Sequence, residues 1–257
     1  NPLRGTTAQA LAALAELGIE VAGAEPGSLC PEAVRVVRGY PFRGSGYNAG
    51  LYTGQDLGAQ LVARLLLAPP LALPEGPILD ACTGVGGKAT HLAALFLNQR
   101  AVDAADLSPR KPELCREHVQ RLGCSSVRPI EADLSASAAR GKGPLRDDYA
   151  AVLLDAPCSG VGVLRRHPEA RLRLALSPQK IDELVALQGK LLEALSQRVR
   201  PGGALVYSVC STLAKEGPEQ IASFLARHPE FAALPPQSFR LDDKTTLPII
   251  SPIDGAL

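Results

Sequence analysis

The sequence predicts an α/β fold built around a mostly parallel β-sheet. From residue 78 onward, short apolar segments alternate with longer segments whose apolar residues recur at helical spacing. Several of the short segments, such as 78–79 and 150–154, are continuously apolar, as expected for parallel strands that are covered on both faces. Because ligands of open parallel sheets bind beyond the carboxyl ends of the strands, we expect the polar residues there to share one site. These residues are Asp80, Asp106, Asp133, Asp155 and Cys210.

The N-terminal part carries a different pattern, which predicts a small α/β subdomain. Its predicted elements are a helix over 6–17 with threonine caps, a short strand over 34–37 and a helix over 55–68. Pro69-Pro70 ends the second helix. We therefore place residues 1–70 in the subdomain, a candidate RNA contact, and residues 71–257 in a larger domain.

In the larger domain the apolar segments and the helical patterns alternate regularly. The predicted strands are 78–79, 101–105, 127–130, 150–154 and 204–209. The predicted helices are 88–97, 109–122, 179–199 and 218–228. Gly123 is expected to close the second of these helices, and Pro201-Gly202-Gly203 is expected to stop the third.

The composition argues against several classes of protein. The chain has 257 residues and a net charge of +1, which argues against a histone-like coat but leaves local basic patches open. Aromatic residues make up 4%, too few for a broad stacking platform. Six cysteines without a Cys-x-x-Cys pair predict neither a metal site nor a disulfide framework. The sparse cysteines favour a reducing cytoplasm, and no apolar run is long enough to cross a membrane. We expect a monomer.

The first motif, DACTGVGGK, is a glycine-rich turn over 80–88 between the first strand of the sheet and a helix. Glycines let backbone N–H groups approach a ligand closely, but Ala89 stands where a phosphate loop needs Ser or Thr. Asp106, about 20 residues further on, can accept hydrogen bonds from both ribose hydroxyls. S-adenosylmethionine, a nucleoside without a phosphate, therefore fits. The alternative is a tight connection, with Asp106 and Asp133 as ordinary helix caps.

The second motif, LLDAPCSGVGVLRRHPEARLR, follows the fourth strand. Its proline and small residues fix a tight loop that carries Cys158 to the ligand edge, although an isolated cysteine is more often a small buried residue. Residues 160–180 hold five basic side chains against Glu169 alone, a local net charge of +4. Charge runs are usually solvated, but this position favours contact with a polyanion. The candidate RNA-binding residues are Arg165, Arg166, His167, Arg171 and Arg173.

The third motif, GGALVYSVCS, places Cys210 at the end of the fifth strand. Two cysteines at the ends of neighbouring strands are poorly explained as core residues. Because the thiolate is the nucleophilic form, a positive surround from Lys88, Arg165 or Arg166 would lower the pKa of a thiol here and activate it.

Together these motifs resemble the Sun/Fmu-like RNA cytosine-5 methyltransferases. DAPCSG with a second strand-end cysteine is the most specific part, RRHP is typical of the ribosomal subgroup, and the similarity runs from roughly Tyr47 to the C-terminus. The resemblance implies a Rossmann-like class I methyltransferase domain, preceded by a small α/β subdomain. Ribosomal members often carry a further N-terminal helical RNA-binding domain.

The resemblance also implies roles for individual residues. Cys210 would be the nucleophile, Cys158 would assist product release, and Asp155 would contact the target base. The residues implied to hold S-adenosylmethionine are Asp80, Cys82, Thr83, Gly84, Val85, Gly86, Gly87, Lys88, Asp106, Asp133 and Asp155. Thr83-Gly84-Val85 departs from the usual Ala-Ala-Pro of the family, and Val209 from its usual Thr.

We therefore predict methyl transfer from S-adenosylmethionine to carbon 5 of a cytosine in RNA, with 16S ribosomal RNA as the expected substrate. Carbon 5 is a poor nucleophile, and a covalent adduct of Cys210 with carbon 6 would push electron density onto it. One alternative is a methyltransferase acting on transfer RNA. Another acts on a non-RNA substrate and leaves both cysteines dispensable. A third is an RNA-binding scaffold without catalysis.

Overall fold

The computed structural model describes residues 1–23, 30–67, 71–135, 143–164, 168 and 178–234. The strands in this part of the chain are β1 (Glu20–Ala22), β2 (Arg35–Arg38), β3 (Ile78–Ala81), β4 (Val102–Asp106), β5 (Val127–Glu131), β6 (Tyr149–Asp155) and β7 (Val199–Ser208). The α-helices are α1 (Thr7–Glu16), α2 (Gly44–Asn48), α3 (Leu57–Arg64), α4 (Gly87–Leu95), α5 (Arg110–Leu122), α6 (Pro178–Ser196) and α7 (Pro218–Arg227).

Strands β3 to β7 form one five-stranded sheet in the order β5-β4-β3-β6-β7, and its strand pairs are all parallel. This confirms the predicted α/β fold. The chain runs outward from β3 to β4 and β5, then returns to β6 on the other side of β3. The strand order therefore reverses between β3 and β6, and ligands of such sheets bind in the crevice at that point.

Helices cover both faces of the sheet. On one face the strands pack with Leu92 of α4 and Cys115 of α5. On the other they pack with Leu192 of α6 and Phe224 of α7. All of β3 and all but the last residue of β6 are buried, as the continuously apolar segments predict. Full burial of one large apolar side chain contributes about 1.5–3 kcal/mol, so these layers fix the strand ends that carry the site.

Strand β7 shows that the predicted stop of the preceding helix is wrong. Helix α6 ends at Ser196, and β7 begins at Val199 and continues through Pro201-Gly202-Gly203. The pairing of β6 with β7 shifts register here, and Gly202 has a φ of +74°, so the tripeptide forms an irregular, bulged part of the strand. Among the described strands β7 lies at the edge of the sheet, where a proline without an N–H group is tolerated.

The N-terminal segment combines local structure with packing onto the larger sheet. Thr6 and Gln9 form a reciprocal capping box at the start of α1, which confirms the predicted threonine cap. Strands β1 and β2 form an antiparallel pair. Strand β1 has three residues, too few for an alternating pattern to be recognised in the sequence. Ala63 of α3 and Leu66 just after it belong to the same core as β3. The division of the chain at residue 70 stays a prediction.

Candidate active site at the carboxyl edge of the sheet

Asp80 lies in β3, fully buried beneath the glycine-rich turn. The Thr83 hydroxyl donates to its Oδ2 at 2.5 Å, whereas Oδ1 has no hydrogen-bond partner among the described residues. Burial raises the pKa of Asp80 to about 7, although the Thr83 hydrogen bond and the Lys88 charge oppose this rise. An alanine, usual in the family at position 83, could not make this hydrogen bond. The remaining oxygen of Asp80 is an acceptor that a ligand could use.

The turn after β3 passes through left-handed backbone conformations. Cys82, Gly84 and Gly86 have φ values of 59°, 58° and 84°. A Cβ atom on Gly84 would meet nothing within 4 Å, whereas a Cβ on Gly86 would lie 2.4 Å from the Sγ of Cys115. Gly84 therefore borders open space that a ligand can occupy. Gly86 instead allows the start of α4 to pack against α5.

Asp106, at the end of β4, connects its own loop to the glycine-rich turn. Its Oδ2 accepts a hydrogen bond from the backbone N–H of Gly84 at 2.9 Å, and Oδ1 accepts one from the N–H of Ser108 at 3.0 Å. Asp106 does not cap α5, because Pro109 occupies the N-cap position. A carboxylate can accept about four hydrogen bonds, so Asp106 keeps capacity for ligand hydroxyls.

Asp133 lies just after β5 and is exposed. Its Oδ1 accepts hydrogen bonds from the backbone N–H of Ser135 at 2.9 Å and from the Ser135 hydroxyl at 2.7 Å. Asp133 therefore stabilises its own turn at the edge of the sheet that carries the other acids. Its contact with a cofactor stays a prediction.

The groups around the turn fit a nucleoside ligand. They include the unpartnered oxygen of Asp80, the spare acceptor capacity of Asp106 and the open space beside Gly84. The apolar side chains of Val85 and Leu107 are 38% and 66% exposed, and surfaces of this kind can cover a purine ring. Within the described ranges, no three His, Cys, Asp or Glu side chains are grouped so that they could hold a metal ion.

Asp155, the last residue of β6, joins three elements of the site. Lys88 Nζ of α4 lies 2.5 Å from its Oδ2, and the hydroxyl of Ser208 in β7 donates to its Oδ1 at 2.9 Å. The Asp155 side chain is 35% exposed, so a substrate in the crevice can still reach it. Two hydrogen bonds thus hold the carboxylate in a fixed orientation next to the switch point.

Cys158 and Cys210 meet at this edge with their sulfur atoms 3.2 Å apart. The hydrogen bond from Cys158 lowers the pKa of Cys210 to about 7, with a small contribution from Lys88 and against the effects of burial and Asp155. The same hydrogen bond, together with burial, raises the pKa of Cys158. Cys210 is also the exposed member of the pair. The distance allows either thiol to donate, and the lowered pKa and greater exposure of Cys210 favour Cys210 as the thiolate and Cys158 as the donor.

The other four cysteines are unreactive by comparison. Burial raises the pKa to about 11 for Cys30 and Cys124, and to about 12 for Cys82 and Cys115. Three of them, Cys30, Cys115 and Cys124, are fully buried. The site therefore has one thiol that ionises near neutral pH.

The sequence did not point to a buried carboxylate behind the two thiols. Glu216 is fully buried and accepts hydrogen bonds from Ser159 and Gln188. A single glutamate in a short turn is typically exposed, so no sequence signal identifies it. The five candidate RNA-binding residues, Arg165, Arg166, His167, Arg171 and Arg173, lie outside the described residues. Their contact with RNA stays a prediction.

The strand order, the glycine-rich turn at the switch point and the acid after the second strand of the sheet define a Rossmann-like class I methyltransferase fold. A family model described as 16S rRNA methyltransferase RsmB/F matches residues 66–246. The chain belongs to this family, which confirms the resemblance to Sun/Fmu-like enzymes. None of the described helices is both long and apolar enough to span a membrane.

Individual relatives agree with this assignment. Ribosomal RNA small subunit methyltransferase B of Xanthomonas campestris is 40% identical over 90% of this chain and 51% of its own length. The crystal structure of PH0851 is 31% identical with a TM-score of 0.79, over 91% of this chain and 50% of that one. The structure of NSun6 from Pyrococcus horikoshii with SFG, an analogue of S-adenosylmethionine, is 26% identical with a TM-score of 0.62, over 76% and 48%. The chain spans about half the length of the curated relatives it matches.

Proposed function

We propose that this chain is a catalytic domain that methylates carbon 5 of cytosine in RNA, with S-adenosylmethionine as the methyl donor. The observation that carries the proposal is the thiol pair of Cys158 and Cys210, 3.2 Å apart beside Asp155. A nucleophilic thiolate next to a second thiol suits an adduct that must form and then be broken. The family description and the names of the relatives support 16S ribosomal RNA as the substrate.

Cys210 supplies the nucleophile. With a pKa of about 7, about half of it is thiolate at neutral pH, compared with about 3% for an ordinary cysteine. The thiolate adds to carbon 6 of the cytosine and forms an S–C6 bond. The electron pair of the C5–C6 double bond then becomes available at carbon 5.

Asp155 is positioned to receive the altered ring. When Cys210 adds, N3 of the cytosine gains electron density and takes up a proton from water, and the new N3–H group donates to the Asp155 carboxylate. Lys88 and Ser208 already hold this carboxylate. Because the acceptor is preorganised, it stabilises the adduct without rearranging.

Cys158 is assigned to release of the product. S-adenosylmethionine, when bound, supplies an electrophilic methyl group to carbon 5. Transfer of the carbon 5 proton and of the N3 proton to water, together with cleavage of the S–C6 bond, then restores the aromatic ring and returns Cys210 as a thiolate. Cys158 lies 3.2 Å from the departing sulfur, and its S–H group stabilises the negative charge that forms there.

The N-terminal segment offers a surface that suits single-stranded RNA. All of β2 is exposed, and the rings of Tyr40 and Phe42 are 60% and 41% exposed. Residues 33–55 carry Arg35, Arg38 and Arg43 and no acidic residue. Arginines bind phosphates and exposed rings stack on bases, so we assign this surface to RNA contact. A single-stranded or flipped target is needed, because stacking hides carbon 6.

The test is formation of a covalent protein–RNA adduct on a cytosine-containing fragment of 16S ribosomal RNA in the presence of S-adenosylmethionine. We expect Cys210→Ala to abolish both the adduct and methyl transfer, since no nucleophile remains. We expect Cys158→Ala to accumulate an adduct that survives denaturing electrophoresis, because release is slowed. Cys124→Ala, which removes a buried thiol outside the pair, is the matched control and should behave as wild type.

Four other outcomes would contradict this function or change the substrate assigned to it. Absence of an adduct in both the wild type and Cys158→Ala would contradict it. Adducts with transfer RNA but not with the ribosomal fragment would keep the chemistry and change the substrate. Methyl transfer to a non-RNA substrate that does not need Cys158 or Cys210 would identify a different class of methyltransferase. RNA binding without any transfer would identify a scaffold.

A further inference from the structure

Behind the two thiols lies a hydrogen-bond network that the proposed mechanism does not use. Its centre is the fully buried side chain of Glu216. Ser159, the neighbour of Cys158 in sequence, donates to this carboxylate from its backbone N–H at 2.8 Å and from its hydroxyl at 2.5 Å. The Ser159 hydroxyl also lies 3.1 Å from that of Ser211, the neighbour of Cys210. One carboxylate thus reaches the residues next to both cysteines.

We propose that Glu216 is a positioning residue that holds Cys158 and Cys210 within hydrogen-bonding distance of each other. The importance of this distance rests on the proposed function of the thiol pair. The two cysteines lie on separate loops, and keeping their side chains in contact opposes the conformational entropy of both loops. Outside the network, the backbone bond from Gly162 N–H to the carbonyl of Cys210, at 3.1 Å, links the same two loops.

Glu216 is itself held from two further elements. Gln188 of α6 donates from Nε2 to Glu216 Oε1 and to the carbonyl of Pro157, at 3.0 Å in each case. The hydroxyl of Tyr207 in β7 donates to the carbonyl of Glu216 at 2.6 Å. The Cys158 loop is therefore fixed to the helix layer through Glu216 and Gln188 together.

The protonation state of Glu216 agrees with this role. Burial raises its pKa, but the hydrogen bonds from Ser159, Ser211 and Gln188 outweigh burial and leave the pKa below its usual value. Glu216 is thus a buried carboxylate that accepts several hydrogen bonds at once. Buried charged groups rarely add net stability, and fixing one particular geometry is a reason for a fold to keep one.

The proposal has a consequence that can be measured without RNA or cofactor. If the thiols move apart, Cys210 loses its main hydrogen-bond donor and behaves more like an ordinary thiol. Burial holds the pKa values of Cys30, Cys82, Cys115 and Cys124 at about 11 to 12, and that of Cys158 is raised as well. Alkylation between pH 6 and 9 therefore reports on Cys210.

The experiment measures the rate of iodoacetamide alkylation of Cys210 against pH, resolved by peptide mass spectrometry. We expect Glu216→Ala to move the midpoint upward by about one to two pH units, toward an ordinary thiol. Glu216→Gln should move it less, because the amide oxygen still accepts from the Ser159 N–H. Glu219→Gln, an exposed glutamate in α7, is the matched control and should leave it unchanged. Cys158→Ala removes the donor itself and gives the largest shift that positioning can cause.

An unchanged midpoint in Glu216→Ala, with a raised one in Cys158→Ala, would overturn the positioning role. If Glu216→Ala does not fold, the alkylation midpoints of Glu216→Gln and Ser159→Ala are compared with the wild type instead. Unchanged midpoints in both variants would also overturn the positioning role. The wild type could show a low alkylation midpoint that rises in these variants, and yet form no RNA adduct. That result would contradict the proposed function but support the positioning role of Glu216. A wild-type alkylation midpoint equal to that of an ordinary thiol, and unchanged in every variant, would overturn the positioning role. The proposed function would then be tested by the RNA adduct alone.

Discussion

At the residue scale, two side chains of different kinds, the thiol of Cys158 and the ammonium of Lys88, lower the pKa of Cys210, while burial and Asp155 raise it. The thiol has the larger effect, although a positive surround was the expected cause. Lys88 is engaged by Asp155 at 2.5 Å, and a paired charge acts weakly on its other neighbours. The site therefore uses Lys88 to orient Asp155 and the uncharged Cys158 to stabilise the Cys210 thiolate.

The buried carboxyl group of Asp80 should make the free energy of unfolding depend on pH. Its pKa is raised to about 7 in the folded protein, above an unfolded value of about 3.9. Its contribution to the free energy of unfolding is therefore complete below pH 4. It is lost as pH rises toward 7, because Asp80 ionises in the unfolded chain but stays protonated in the folded protein. The loss amounts to roughly 4 kcal/mol. The side chain of Asp80→Asn cannot ionise, so the variant should not show this loss of stability.

Urea unfolding of wild type and Asp80→Asn at pH 4.5 and pH 8 measures this effect. The advantage of the variant in free energy of unfolding should grow with pH, while every other titrating group cancels in the difference. Asn can still accept the Thr83 hydroxyl through its amide oxygen, so the local contact is kept. A difference that is the same at both pH values would show that Asp80 is ionised in the folded state.

At the scale of the element, Gly84 and Gly86 should separate ligand binding from folding. Both have positive φ, so alanine is strained at each. A Cβ on Gly86 also collides with Cys115, whereas one on Gly84 projects into open space. We expect Gly86→Ala to lower the free energy of unfolding by about 1–3 kcal/mol more than Gly84→Ala does. Gly84→Ala should instead weaken binding of S-adenosylmethionine.

Chemical denaturation and calorimetric titration with S-adenosylmethionine test the two variants side by side. Cys115→Ala in the Gly86→Ala background removes the colliding sulfur and should restore part of the lost stability. If Gly84→Ala binds the cofactor as tightly as wild type, the open space beside the turn is not the cofactor site. Equal losses of stability in the two single variants would refute the packing role of Gly86.

The same elements show how far the sequence can predict the site. Short, mainly apolar segments between helical patterns place β3 to β7, and the spacing of Asp106 from the glycines predicts the loop that Gly84 contacts. The bulge at Pro201-Gly202-Gly203 is not predictable, because the same residues are typical of a helix stop. The contact of Cys158 with Cys210 depends on how two loops bend, and loop geometry has no periodicity to detect.

For the whole molecule, the last turn of α5 is one of the places where the N-terminal segment is joined to the sheet domain. Arg121 donates to the carbonyls of Tyr47 and Tyr52 at 3.0 and 3.2 Å, and its guanidinium lies 4.0 Å from the centre of the Tyr47 ring. Arg4 donates to the carbonyl of Arg121 at 3.1 Å, and the same carbonyl fills the space where a side chain on Gly50 would lie. The end of α5 thus helps to orient the proposed RNA surface relative to the thiol pair, together with contacts to α4 such as that between Gln55 Nε2 and the carbonyl of Gly87.

We predict that Arg121→Met loosens this connection without unfolding the sheet. Methionine keeps an apolar stem but removes the cation–π contact and three hydrogen bonds, including one to the Thr53 hydroxyl at 3.2 Å, a joint loss of about 2 kcal/mol. Amide hydrogen exchange in residues 44–53 should then be roughly thirtyfold faster, while amides of β3 keep their protection. Arg116→Met, an exposed arginine on the same helix, is the control and should leave both regions unchanged. Faster exchange throughout the sheet would show instead that Arg121 stabilises the fold as a whole.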